Sequence, residues 1–192
     1  MRDDIKSQIQ ASCLVKQQLL DDKQALSQIE EMAVRCIEAL RNGNKLLLAG
    51  NGGSAADAQH IAAELVCRFE TERRALPALA LPTNSSTMTA IANDYDYATV
   101  YERQLYAHGK PGDVFVGLST SGNSPNIIKA VEACKELGVI SIGMTGQSGG
   151  KLLEKCDLCV RVPATNTARV QEAHILIGHI VCAEIDKAFT AT

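Results

Sequence analysis

The sequence predicts an α/β protein: a three-layer αβα sandwich around a five-stranded parallel sheet of doubly wound type, preceded by two N-terminal helices. Three observations lead there. Five short apolar runs follow one another, KLLLAG (45–50), LPALALP (76–82), DVFVGLS (113–119), VISIGM (139–144) and LCVRV (158–162). Most are separated by helix-like segments of about a dozen residues or more, the spacing of βαβ crossovers, and they lack polar alternation, as strands covered on both faces do. Glycine- or hydroxyl-rich turns close the first and third runs.

The elements follow in order. Residues 3–20 carry Ile5, Ile9 and Cys13 at helical spacing, and residues 22–41 carry Leu26, Ile29, Ala33, Ile37 and Leu40, with Gly43 closing the second helix. These helices stand outside the strand–helix alternation, so 1–42 is expected to be an oligomerisation segment. The α/β core and last helix, 43–192, complete one domain with no repeat, low-complexity tract or linker. Val170 to Phe189 is apolar on nearly every side between Glu172 and Glu184. Such a helix must be covered all round, and another copy of the chain is expected to supply cover.

A chain of 192 residues with 46% hydrophobic residues can bury a sizeable core, and a net charge of -3 gives no general pull toward nucleic acid or anionic membrane. The N-terminus is broken by charges and amides every few residues, unlike a signal peptide. The longest uncharged apolar run, Ala173 to Ala183, is about half the length a membrane span needs. A cytoplasmic protein is expected. Seven scattered cysteines suit reduced thiols. Cys156 and Cys159 form a CxxC, but it sits at and within a strand, and no second pair completes a zinc site.

Two turns can cradle anions. In GNGGSAAD (50–57), Gly50, Gly52 and Ala55 fit the dinucleotide fingerprint GxGxxA. A dinucleotide site also wants an acidic residue about 20 positions on, at the end of the second strand. That count lands on Glu70 and Glu72 in FETERR, before the second strand begins, and the strand ends in Pro82, Thr83 and Asn84. The turn therefore reads as a close backbone approach to a small ligand, with Ser54 a hydroxyl donor at the helix start. In LSTSGNSPN (118–126), Ser119, Thr120, Ser121 and Ser124 surround Gly122 and Asn123, and Pro125 fits the first turn of a helix. A cap needs one hydroxyl. Four hydroxyls within six residues, at the end of a strand and the positive end of a helix dipole, predict a phosphate site.

Four side chains can do chemistry. His60 and Glu64 are four apart on the helix after the first turn, hence on one face. Gln171 and His179 are eight apart on the last helix, about 80° around its axis, so both can look into one cleft, with His174 on the other flank of Gln171. Two imidazoles, one carboxylate and one amide oxygen can bind a divalent metal or divide into an acid and a base. Each is also an ordinary helix residue when taken singly, and spacing does not pair the helices.

Jointly, GNGGSAADAQHIAAE, TAIANDY (89–95), LSTSGNSPNI, MTGQSGG (144–150) and RVQEAHILIGHIV resemble the phosphoheptose isomerases of the sugar isomerase (SIS) domain superfamily, over essentially the whole chain. The resemblance implies the SIS form of a flavodoxin/Rossmann-like sandwich. It implies conversion of sedoheptulose 7-phosphate to D-glycero-D-manno-heptose 7-phosphate, the first step toward the heptose of bacterial lipopolysaccharide or related glycans. It also implies zinc in each subunit and a homotetramer with active sites at subunit boundaries, with no nucleic acid or membrane partner. In the family's pattern Glu64 and His179 match the proton-transfer pair, and His60, Glu64, Gln171 and His179 the zinc ligands. Ser54, Ser119, Thr120, Ser121 and Ser124 match sugar-phosphate contacts. Asn51, Gly52, Gly53, Arg68, Asn93, Asp94 and Gln171 match further substrate positions. Thr167 and Ala168 precede Arg169 where some isomerases carry an acid.

A SIS-fold protein that associates with the replication initiator shares RFETER and TAIAND with this chain. The resemblance separates the two, because that subfamily lacks the carboxylate at Glu64 and the imidazole at His179. A phosphosugar-sensing regulator is the third reading, and it predicts binding without exchange of the C1 hydrogens.

Overall fold

The computed structural model describes residues 1–190. Strands β1 (Leu46–Gly50), β2 (Ala78–Ala80), β3 (Val114–Leu118), β4 (Ile140–Thr145) and β5 (Leu158–Arg161) form one sheet in the order β2-β1-β3-β4-β5, with every neighbouring pair parallel. Side chains alternate across a strand, so each strand feeds two cores. Leu46, Leu48, Val114 and Val116 point into one core with the helices α1 (Arg2–Asp21), α2 (Lys23–Arg41), α3 (Gly53–Val66) and α8 (Thr167–Thr190). Leu47, Ala49 and Phe115 point into the other, with α4 (Ser85–Asp94), α5 (Val100–His108), α6 (Pro125–Leu137) and the single turn α7 (Leu152–Lys155). This is the expected three-layer sandwich.

Local chemistry sets the boundaries. Asp22 ends α1 and caps α2, its carboxylate accepting from the Gln24 and Ala25 amides at 2.9 and 3.0 Å. Gly43, at φ +80°, turns the chain out of α2. Strand β2 is shorter than its apolar run because Pro77 and Pro82 flank it. Between β2 and β3 the chain forms α4, which buries no residue completely, and α5, which buries Val100, Tyr101 and Leu105.

Helix α8 departs in part from expectation. Much of its cover comes from within the chain, because α1, α2 and α3 all pack against it. An apolar groove remains between α2 and α8, lined by Leu26, Val34, Ile37 and Ile180. Among the described residues, no helix is long and apolar enough to cross a membrane.

Strand order reverses between β1 and β3, since the chain leaves β1 for β2 on one side and returns to β3 on the other. Open α/β sheets bind ligands at the carboxyl ends of such strands. Gly50 pairs with Leu118 in the last rung of this ladder, so the glycine turn and the hydroxyl turn emerge side by side.

Candidate active site

The glycine turn is shaped by close packing. A β-carbon on Gly50 would lie 2.6 Å from the Ser54 carbonyl group, and Gly52 holds φ +54° at the start of α3, a region that favours glycine. Ser54 is buried in the first turn of α3. The Asn51 side chain reaches across to α6, donating to Asn126 Oδ1 at 3.0 Å and accepting from Asn126 Nδ2 at 2.8 Å. Tyr97 also donates to Asn51 Oδ1, at 3.1 Å.

The hydroxyls of the second turn do not cap α6. Ser124 occupies the cap position yet makes no side-chain cap bond, and its Oγ lies 2.9 Å from Ser119 Oγ. Ser121 Oγ accepts from the Asn123 amide at 3.1 Å. Behind the turn lies the loop of MTGQSGG, whose Gly149 and Gly150 adopt φ +73° and +53°. There is no room for a β-carbon on Gly122, which would run into the Gly149 carbonyl. The Gly146 amide donates to Thr120 O at 3.0 Å, and the Lys151 amide to Asn123 Oδ1 at 3.1 Å. That loop backs the hydroxyl turn through these contacts.

The chemical side chains meet where α3 crosses α8. Gly178 permits the approach, since a β-carbon there would lie 2.6 Å from Ile61 Cδ1. His60 Nε2 lies 2.9 Å from His179 Nε2 and 3.2 Å from Glu64 Oε1. The ligand atoms of His60, Glu64 and His179 all lie within 4.8 Å of one another. Two imidazole nitrogens and a carboxylate oxygen turned to one point are a donor set that suits zinc. Phe69 stacks on the His179 ring at 5.5 Å and 22°. Toward the start of α3, the Gln171 amide fills the space a Gly53 side chain would need and lies beside Asp57. Burial pushes the Asp57 carboxyl up, opposed by the Gln171 amide and by His60 and His179.

At its other end the seam is fixed by a buried ion pair. Arg73 Nε donates to Asp186 Oδ1 at 2.6 Å, and the two side chains are 0% and 3% exposed. Arg73 also donates to the Leu65 and Glu64 carbonyls, both at 2.9 Å, which are orphans of the last turn of α3. Asp186 further accepts from the Glu70 and Thr71 amides. Burial raises the Asp186 carboxyl, but these hydrogen bonds and Arg73 outweigh it and hold it below the usual carboxylate range.

Comparison with known proteins then decides the family. The SIS domain model matches residues 15–146. Over 188 residues, 98% of this chain and 95% of the relative, the chain is 57% identical to the phosphoheptose isomerase of Aneurinibacillus thermoaerophilus. The chain belongs to the phosphoheptose isomerases. It is 54% identical to phosphoheptose isomerase 2 of Campylobacter jejuni, over 95% of this chain and 91% of that one. The solved phosphoheptose isomerase of Neisseria gonorrhoeae superposes with a TM-score of 0.90 at 40% identity, covering 97% of this chain and 98% of that chain. The Francisella tularensis structure gives 0.91 at 38% identity, covering 96% and 97%.

In this isomerase the fold brings together the candidate metal ligands His60, Glu64 and His179, and Gln171, two turns before His179 on α8, bonds Asp57, whose carboxyl feels both His60 and His179. Asn93 and Asp94 are exposed at the end of α4 and bond each other at 2.8 Å. Arg68 extends into solvent, 3.8 Å from the exposed Glu72. His174 is fully buried, with Nε2 3.2 Å from Thr145 O and Nδ1 unpartnered, and burial lowers its pKa to about 4. Cys156 precedes β5 and Cys159 lies within it, both free thiols. Asp57, Phe69, Asn126, Arg73 and Asp186, not among the candidates read from the sequence, contact these turns and helices. Each acts through a partner distant in sequence, so no local pattern marks it.

Proposed function

We propose that this isomerase interconverts sedoheptulose 7-phosphate and D-glycero-D-manno-heptose 7-phosphate through an enediolate, with Glu64 and His179 moving the protons. The observation that carries this reading is the convergence of a carboxylate from α3 and an imidazole from α8 within the same 4.8 Å cluster. Moving a carbonyl between C1 and C2 needs a base for a carbon-bound proton and an acid for the oxygens. Glu64 takes the C1 proton of the ketose. His179, oriented by Phe69, serves the oxygen protons or returns one to carbon. The hydroxyls of Ser119, Thr120, Ser121 and Ser124, with Ser54 and the backbone of Asn51, Gly52 and Gly53, hold the phosphate and orient the chain. Asn93, Asp94, Gln171 and Arg68 complete the substrate contacts.

His60, Glu64, Gln171 and His179 are the residues that would hold zinc. When bound, zinc supplies polarisation of the carbonyl and stabilisation of negative charge. A carboxylate bound to a metal is a weaker base than a free one, so Glu64 serves best when its hold on the ion is loose.

The active form is a homotetramer with sites at subunit boundaries, and segment 1–42 contributes to assembly. The exposed apolar residues Ile5, Ile9, Leu14 and Leu20 on α1 and the groove between α2 and α8 support this. Arg68, exposed on its own chain, serves a neighbour's site in this assembly. Seven free cysteines support a reducing cytoplasm. The product feeds heptose synthesis for lipopolysaccharide or related glycans.

The deciding experiment follows exchange of the C1 hydrogens of sedoheptulose 7-phosphate into solvent by NMR. Wild type with zinc exchanges them, and Glu64→Gln slows exchange by about two to four orders of magnitude. Unimpaired exchange in Glu64→Gln overturns the assignment of the base. No exchange by the wild type overturns turnover itself and makes capture of the replication initiator the next measurement. Bound zinc, measured by elemental analysis, is expected to fall in His60→Ala and His179→Ala; unchanged content in both removes them as ligands.

A further inference from the structure

We propose that Asn126 is a positioning residue for the sugar phosphate: its reciprocal amide pair with Asn51 locks the turn after β1 against the turn after β3. This rests on the reading that those two turns hold the phosphate ester. Asn126 is the second residue of α6 and only 2% exposed. A primary amide is buried at a cost unless its donors and acceptor are used. Here the side chain ignores the local helix end and points across the switch crevice, where the two amides each donate to the other at 2.8 and 3.0 Å.

The position of this pair gives it its role. The β1–β3 ladder ends at Gly50 and Leu118. Beyond that rung, among the described residues, the amide pair is the only hydrogen-bonded link between 51–54 and 119–126. The first turn packs closely on the start of α3 at Gly50 and the second is hydrogen-bonded to the MTGQSGG loop, but neither set of contacts joins one turn to the other. Asn51 Oδ1 is occupied twice, by Asn126 and by Tyr97. The Asn51 side chain therefore serves the frame, and the backbone of its turn is left to face the ligand. A ligand held by both turns loses binding energy when their spacing becomes variable, because it must then fix that spacing itself.

A double-mutant cycle in steady-state kinetics tests this, with Asn51→Ala, Asn126→Ala and the double variant. Each single change is expected to raise KM for sedoheptulose 7-phosphate about tenfold, the loss of a partnered buried hydrogen-bond pair. The double variant is expected to be no worse than the poorer single, and kcat is expected to fall less than KM rises. Zinc content stays at the wild-type level. Asn126→Ser runs in parallel as a milder variant in case the alanine fails to fold, with Asn51→Ala probing the pair from its other side. An unchanged KM with only a lowered melting temperature assigns Asn126 to stability alone and overturns the proposal. Multiplicative effects, about a hundredfold in the double variant, overturn it as well by showing independent action. Ser121→Ala and Ser124→Ala separate the two levels. If they leave KM unchanged the phosphate reading fails, and if they raise it while the Asn126 variants do not, the inference alone fails.

Discussion

The hydroxyl turn and the α3–α8 seam are built by opposite means. The turn takes its donors from one stretch, Ser119 to Ser124, and its backing from the backbone of an adjacent loop. The seam takes His60 and Glu64 from one helix, His179 from another more than a hundred residues on, and its anchor from Arg73 and Asp186. A phosphate is a small, symmetric target that backbone and hydroxyl groups satisfy locally. Proton transfer needs side chains of different chemistry at fixed separation, and only tertiary packing supplies that.

If this division holds, substitutions at the seam change kcat and substitutions at the turn change KM. The largest effect is expected for His179→Gln, which lowers kcat about two to four orders of magnitude while KM stays within about twofold. A large rise in KM instead would blur the boundary. Next comes Arg73→Ala, which leaves the Asp186 carboxylate buried without its partner and is expected to cost about 3–5 kcal/mol in urea unfolding. Arg73→Lys keeps the charge but cannot fork to both α3 carbonyls, so it should fall between the two.

The third prediction concerns the joint between the two regions, where His174 on α8 contacts the end of β4. Its folded pKa of about 4 lies below the ordinary value of 6.5, so the unfolded chain takes up the proton first as pH falls. Its contribution is therefore whole above about pH 6.5 and is lost as pH drops toward 4, by at most about 3 kcal/mol. Stability measured against pH should show this slope in wild type and a flatter one over the same window in His174→Leu. Asp186 acts separately at lower pH, since its depressed carboxyl gives up its stabilisation only below the usual range. The smallest effect is expected for Ser124→Ala, a rise in KM of about three- to tenfold with kcat unchanged, for one hydroxyl contact.

The same division explains what the sequence discloses. The strands are legible because continuous apolar runs between turns have few other uses, and the hydroxyl turn because its residues are neighbours. Helix α4 is short and has no fully buried residue, its Met88, Ile91 and Ala92 being only partly buried against the core, so its signal in the sequence is weak. His60 and Glu64 are recognisable as a pair, yet nothing local says that Gly178 lets α8 come near enough for His179 to join them. For α8, all-round hydrophobicity says that the helix is enclosed and does not say by which chain; α1, α2 and α3 supply much of the cover. Asn126 reads as an ordinary polar residue near a helix start until its partner on β1's turn is seen.

The shortest strand has a consequence at high concentration. Beside the four longer strands, β2 offers three residues at the sheet margin, and Pro77 and Pro82 remove amide hydrogens on either side of it. A foreign strand seeking to extend the sheet there finds too few donors in register, which protects this margin from fibrous self-association during synthesis and crowding.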